Sequence, residues 1–202
     1  MRRTSGTTVV LVTVAFLAAG CSQVGPPKNI PPDRAEVAWV NAKPEGPVVV
    51  YDGWGRVEVR GTFHNGLKEG TWTGYISNGQ KTVELSYRNG LKDGLCRMWY
   101  GPWIDQGRHA GNLKLEITFH TELPNGTKRS WYASGKKRSE VEFENGRIVG
   151  ARIWEKGGDE LPASKAMLVA EDDWRADQKY FADLDEAVED ALRNSSAPPS
   201  RP

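Results

Sequence analysis

Cysteine is nearly missing from this chain. There are two in 202 residues, Cys21 and Cys96, too few for a disulfide-stapled fold. Histidine is scarce as well: His64, His109 and His120 are the only three. None stands at the H-x-x-x-H or similar spacing that a zinc site needs. Net charge is close to nil, +1 over the whole chain, which removes the electrostatic case for a nucleic-acid binder. Hydrophobic residues make up 38% and mean hydropathy is −0.58, little for a thick core on both sides of a sheet. The apolar run near the start, Thr7 to Ala19, has 13 residues, short of the ~20 that span a bilayer. What is plentiful is glycine, at 22, and tryptophan, at 8. That pairing points to many tight turns with aromatics packed against short strands.

The first residues read as an address. Arg2 and Arg3 give a positive start, the 13-residue apolar run has the length of a signal-peptide core, and small residues lead into Cys21. The pair of arginines is ordinary signal charge, because Thr4-Ser5-Gly6 lacks the bulky apolar residues of a twin-arginine export signal. The run Leu17-Ala-Ala-Gly-Cys21 resembles the bacterial lipobox, with Ala18 where leucine is usual. The resemblance implies acylation of Cys21 and cleavage before it; several acyl chains at about 0.8 kcal/mol per buried CH₂ make a stable anchor. Ser22 in place of Asp implies outer-membrane retention in an organism with two membranes. Residues 22–34 then carry four prolines in 13 positions, which favours an extended spacer that cannot pair in a sheet. Short strands are expected at Glu36–Val40 and, better, at Pro47–Tyr51.

Beyond this the sequence repeats. Phe63, Tyr87, Phe119 and Phe143 each follow a glycine by eight residues (Gly55, Gly79, Gly111, Gly135) and precede another by seven (Gly70, Gly94, Gly126, Gly150). The aromatics are 24, 32 and 24 residues apart, one period being lengthened by eight. Alternate positions up to each aromatic form one face: Val57, Val59, Gly61 and Phe63; Lys81, Val83, Leu85 and Tyr87; Leu113, Leu115, Ile117 and Phe119; Lys137, Ser139, Val141 and Phe143. The positions between are polar, as in Arg56, Glu58, Arg60 and Thr62. Period two with one apolar side predicts half-buried antiparallel strands. Asn-Gly recurs at 65–66, 78–79, 89–90, 125–126 and 145–146, a hairpin signal because both residues tolerate positive φ. A second strand is expected after Gly70, Gly94, Gly126 and Gly150, carrying Tyr75, Trp99, Trp131 and Trp154.

Over about residues 51–158 this pattern resembles the MORN repeat, in the degenerate variant found in many bacterial proteins and in some antitoxin-like ones. The third unit departs, with Glu122-Leu-Pro-Asn where the short turn belongs. The resemblance implies a mainly β fold, an elongated antiparallel meander of hairpins with caps at its ends. It speaks to architecture and hardly to function. The expected organisation is a signal peptide (1–20), a tether (21–46), the repeat sheet (47–158), a helical segment (159–194) and a tail (195–202).

Two stretches break the repeat. Residues 100–111 insert a loop with Pro102, and Trp103 and Ile104 either bind something or fold back over the sheet. After Pro162, Trp174, Phe181, Leu184, Val188 and Leu192 fall at helical spacing, with Ser164 or Asp172 as possible caps. Residues 171–193 hold nine acids and three bases. This stripe is expected to cover the one-sided sheet, the alternative being a partner.

The search for chemistry returns little. His64, His109 and His120 read as surface or turn residues, and Cys96 as a packing residue. Glu140 with Glu142 decorates a polar strand face, and Asp172 with Asp173 reads as a helix start. No phosphate-cradling loop, metal set or cofactor site is seen. Tyr75, Trp99, Tyr100, Trp131 and Tyr132 either pack the array or form a stacking strip for glycan or peptide. The candidate binding surface is Trp99, Tyr100, Trp103 and Trp131. The expectation is a non-catalytic, lipid-anchored binding or scaffolding module, touching the membrane through its anchor and a protein partner, with neither nucleic acid nor small-molecule cofactor. The rivals are an antitoxin-type protein and an enzyme acting on envelope glycans or peptides.

Overall fold

The computed structural model describes residues 32–195. Cys21, the signal peptide, the tether up to residue 31 and the tail beyond residue 195 lie outside the described residues. The chain forms β1 (Arg34–Val40), β2 (Lys43–Tyr51), β3 (Val57–His64), β4 (Leu67–Tyr75), β5 (Lys81–Arg88), β6 (Leu91–Lys92), β7 (Gly94–Trp99), β8 (Leu113–His120), β9 (Leu123–Trp131), β10 (Lys137–Glu144), β11 (Arg147–Ile153) and α1 (Ala163–Asn194). The strands make one antiparallel meander in sequence order, with β6 pairing β5 beside the path. The mainly β architecture with a C-terminal helix is as expected. The sheet starts earlier than a tether reaching residue 46 would allow, because β1 and β2 pair from Arg34 onward.

The turns explain the repeat. Asn65-Gly66, Asn89-Gly90 and Asn145-Gly146 all take positive φ, near 50° at the asparagine and 83° at the glycine, the geometry of a two-residue hairpin turn. Each glycine N–H, as in Gly90 to the Lys68 carbonyl at 2.9 Å, ties its turn to the preceding hairpin. Two Asn-Gly pairs differ. Asn78-Gly79 sits in the longer β4–β5 connection, where Gly79 bonds the Ile76 carbonyl at 2.7 Å. Asn125-Gly126 lies inside β9, and the β8–β9 turn is made by Thr121 and Glu122 at φ 49° and 68°. The second strands accordingly begin at Leu67, Leu91, Leu123 and Arg147, before the glycines expected to precede them. Gly70, Gly94 and Gly126 absorb irregularities within or between those strands at φ 69°, 116° and 79°.

The inner face is apolar where the sequence placed it. Phe63, Tyr87, Phe119 and Phe143 are buried beside Val59, Leu85, Ile117 and Val141. Trp72 fills the centre of the first units, edge-on to Phe63 with ring centroids 4.9 Å apart. Only glycine fits at Gly61, where a Cβ would stand 2.2 Å from that indole.

Strict alternation fails at one point in every unit. Glu58, Thr82, Lys114 and Arg138 are each an extra residue against the preceding strand. Such a bulge resets which side faces the core. Val57, Lys81, Leu113 and Lys137, read as core-face positions, therefore turn outward. The bulge residues turn inward, as Lys114 and Arg138 show by pairing with the helix.

α1 lies across the inner face. Its 32 residues rise about 48 Å, and a ten-strand path at about 4.8 Å per strand is about 43 Å wide. Ala166, Ala170, Trp174, Asp177, Phe181, Leu184, Val188 and Ala191 make the buried stripe. It begins beside β11 and ends at β1, where Ser195 Oγ accepts the Ala35 N–H at 2.6 Å. The helix covers the whole face instead of capping one end. Its N-cap is Pro162, without a side-chain cap; Ser164 lies inside the first turn and Asp172 well along the helix, so neither caps it.

Candidate binding surface

Cross-sheet ion pairs hold α1 down. Asp173 accepts a forked pair of bonds from Arg138. Asp177, inside the apolar stripe, pairs with Lys128 and lies 3.3 Å from Lys114. Asp185 accepts from Lys68 and from the Tyr87 hydroxyl, each at 2.5 Å, and pairs with Lys92 at 2.8 Å. Burial alone would raise the Asp185 carboxyl; Lys68, with the bonds from Lys92 and Tyr87, outweighs it and holds the group below its usual range. Burial first, then the Asp185 charge, pushes the Tyr87 hydroxyl far up, so it stays a donor. The sequence reading took Asp172-Asp173 for a helix start, but Asp173 is one of these clamps.

With the inner face occupied, the outer face is the open one. Its central row reads Glu84, Arg97, Glu116, Arg129, Glu140, Arg152 on successive strands, all in register. Each charge faces its opposite, with Arg97–Glu116 at 3.7 Å and Arg129–Glu116 at 3.8 Å. Lys81 and Lys137 reach Glu84 and Glu140 at 2.7 Å. Cross-strand pairs of opposite sign stabilise a sheet, and the six ladder charges cancel among themselves.

Beside this ladder runs an aromatic row. Tyr51, Tyr75, Trp99, Trp131 and Trp154 each stand at the end of a second strand or just past it, all half-buried. They recur every second strand, about 9–10 Å apart at normal sheet spacing. The bulge residues' neighbours pack between them: Tyr51 pairs Val57, Tyr75 pairs Lys81, Trp99 pairs Leu113 and Trp131 pairs Lys137. Lys81 Nζ lies 4.1 Å from the Trp99 ring, and Lys137 and Arg152 flank Trp154 at 5.1 and 4.8 Å. Next to Tyr75 is a hollow of about 320 Å³ bounded by Arg56, Arg60 and Ile76.

Of the four residues singled out from sequence, Trp99 and Trp131 belong to this row. Tyr100 does not: its hydroxyl donates to the Trp131 carbonyl at 2.8 Å, locking the insertion to the next hairpin. Tyr132 does the same with Trp154 at 2.7 Å. Trp103 sits in the insertion, folded over Gly101 and still 59% exposed, apart from the row. The sequence reading missed Tyr51 and Trp154 as members of the surface, although the period that found Trp99 also marks them. It missed Lys128 and Asp177 too. The signal was there: Lys128 follows Gly126 by two, where Trp72 and Cys96 follow Gly70 and Gly94, and Asp177 falls on the helix stripe.

The remaining candidates are structural. His64 and His120 are exposed, and His109 bonds Asp105 in the insertion at 3.1 Å. Cys96 is buried, and burial pushes its thiol up to about 11, which leaves little reactive thiolate at neutral pH. Among the described residues no group of three His, Cys, Asp or Glu is placed to hold a metal, and no helix is long and apolar enough to cross a membrane. Two hollows of about 410 and 440 Å³ flank α1 and share Lys92, Glu122, Asp185 and Glu189, groups largely committed to the clamp. No family model matches the chain, and no curated protein matches it.

Proposed function

We infer that this chain is a lipid-anchored envelope protein whose MORN-like sheet is a non-catalytic binding module, working through its outer face. The observation that carries the reading is the aromatic row. Half-buried rings on rigid strands, repeated at a fixed spacing, present large contact area at low entropic cost. The inner face is taken by α1, so a partner has the outer face to use. The support for anchoring is the lipobox-like Leu17–Cys21 run and the Pro-rich stretch after it.

Two measurements test this. Cys21→Ser should abolish acyl labelling and membrane fractionation; wild-type behaviour of that variant refutes the anchor. A photo-crosslinking residue at Trp131 should capture a partner in cells, whereas one at Leu168, exposed on the helix, should not. Capture from Leu168 alone would move the binding surface to the helix. Hydrolysis of envelope glycans or peptides by the purified protein would refute the non-catalytic reading.

A further inference from the structure

We propose that the outer aromatic row is a platform for a single extended β-1,4-linked glycan chain. This rests on the outer-face reading above and names its ligand. The repeat distance is the first argument. Trp99, Trp131 and Trp154 recur every two strands, about 9–10 Å apart, and a β-1,4-linked pyranose chain presents the same ring face once per disaccharide at that same repeat. Three rings at one repeat thus match three equivalent sugar faces, Trp131 stacking directly and Trp99 and Trp154 sharing their rings with Lys81, Lys137 and Arg152. The flat, weakly polar face of a pyranose packs on an aromatic ring, as other apolar groups do.

The second argument is the ladder beside the row. Glu84, Arg97, Glu116, Arg129, Glu140 and Arg152 run parallel to the aromatics on the same face. Guanidiniums and carboxylates at close spacing supply donors and acceptors for sugar hydroxyls. Their charges alternate and cancel among themselves, and Lys81 and Lys137 beside them add only a small positive surplus, short of the dense basic face that a polyanion needs. A bilayer fits less well than a sugar chain, because Glu84, Glu116 and Glu140 would lose water against it. Twist adds a restriction. Two strands of a sheet rotate by about 40–50°, so a single flexible chain can follow the row and a flat crystalline array cannot.

The test uses the detergent-solubilised, full-length acylated protein and calorimetric titration with chitohexaose, a β-1,4-linked N-acetylglucosamine hexamer. The hexamer should bind at least about tenfold tighter than the disaccharide, because it reaches more than one ring. Trp99→Ala and Trp131→Ala should each lose about tenfold, the scale of one stacking contact. Trp131→Phe should recover part of the loss, which separates stacking from a folding defect, and Trp103→Ala should bind as wild type. Failure to bind the hexamer, or binding unchanged in Trp131→Ala, overturns the proposal. So does tighter binding to dextran or to phospholipid vesicles through the same residues. If the Trp131 photo-crosslinker captures a protein while the hexamer does not bind, the glycan falls and the outer-face reading stands. If neither occurs, both fall.

Discussion

The buried pair between Lys128 and Asp177 makes an asymmetric prediction. The two side chains are 2% and 7% exposed, and Asp177 has a second cation, Lys114, at 3.3 Å. Lys128 has Asp177 as its ion-pair partner. Removing one member of a buried pair costs about 3–5 kcal/mol when the other is left uncompensated. Asp177→Leu strands Lys128 and should cost about that much. Lys128→Met leaves Asp177 its bond to Lys114, so the loss should be smaller, about 1–2 kcal/mol. The double variant replaces the pair by apolar groups of similar volume and should return to within about 1 kcal/mol of wild type, or exceed it. At this size 1 kcal/mol moves the melting temperature by about 2–4 °C, so Asp177→Leu should melt about 6–20 °C lower. Urea unfolding should be followed by far-ultraviolet circular dichroism, because Lys128 lies 5.6 Å from the Trp174 ring and its loss would alter fluorescence directly. Equal losses from the two single variants, or a double variant as unstable as Asp177→Leu, would refute the assignment of Lys114 as the reserve cation.

Three further outcomes follow from the packing. Gly61→Ala puts a Cβ 2.2 Å from the Trp72 ring and should cost about 2–3 kcal/mol in thermal unfolding; adding Trp72→Leu should recover part of it, and no recovery would place the strain elsewhere. Glu58 has a buried, unbonded Oε2, and burial first, then Asp33 and Asp52, raise its carboxyl above 4.5. A raised acid binds its proton more tightly when folded, so its stability contribution is present below pH 4.5 and lost as pH climbs through the folded value. Glu58→Gln should therefore melt higher than wild type at pH 7, with the gap closing toward pH 4.5; a constant gap would mean the charge is not the cause. Cys96 should resist iodoacetamide at pH 8 and react in denaturant, as its thiol near 11 and its burial require; labelling of the native protein would contradict both.

Most of the architecture was legible because the residues that make it are repeated. The aromatic–glycine spacing located the paired strands, and three Asn-Gly pairs located turns, since positive φ leaves few other residues eligible. Thr121-Glu122 escaped because nothing in their chemistry announces a left-handed turn; the ladders on either side impose it. The bulges escaped for a different reason. Lys114 and Arg138 look like ordinary polar-face residues, and one inserted residue shifts facing without altering composition. Hence Lys81 and Lys137 were read as core-face residues when they stand among the outer aromatics. The clamps needed both partners at once: an aspartate on a helix stripe has no reading until a lysine appears opposite it.

The bulges also connect fold to function. In each unit the extra residue reverses the strand's facing once, so a single strand serves two surfaces. Its central residues pack under α1, while its first residue, Lys81, Leu113 or Lys137, joins the outer row beside Trp99, Trp131 and Trp154. The inward-turned residue does the opposite work, Lys114 and Arg138 reaching Asp177 and Asp173. Without the bulge, Lys114 and Arg138 would join the outer face and the helix would lose two of its cations. In exchange Lys81 and Lys137 would leave the outer rings for the face under α1, so Trp99 and Trp154 would lose the lysines that pack on them. A repeat that keeps one irregular residue per unit thereby fixes both which face is covered and which cations flank the rings on the face left open.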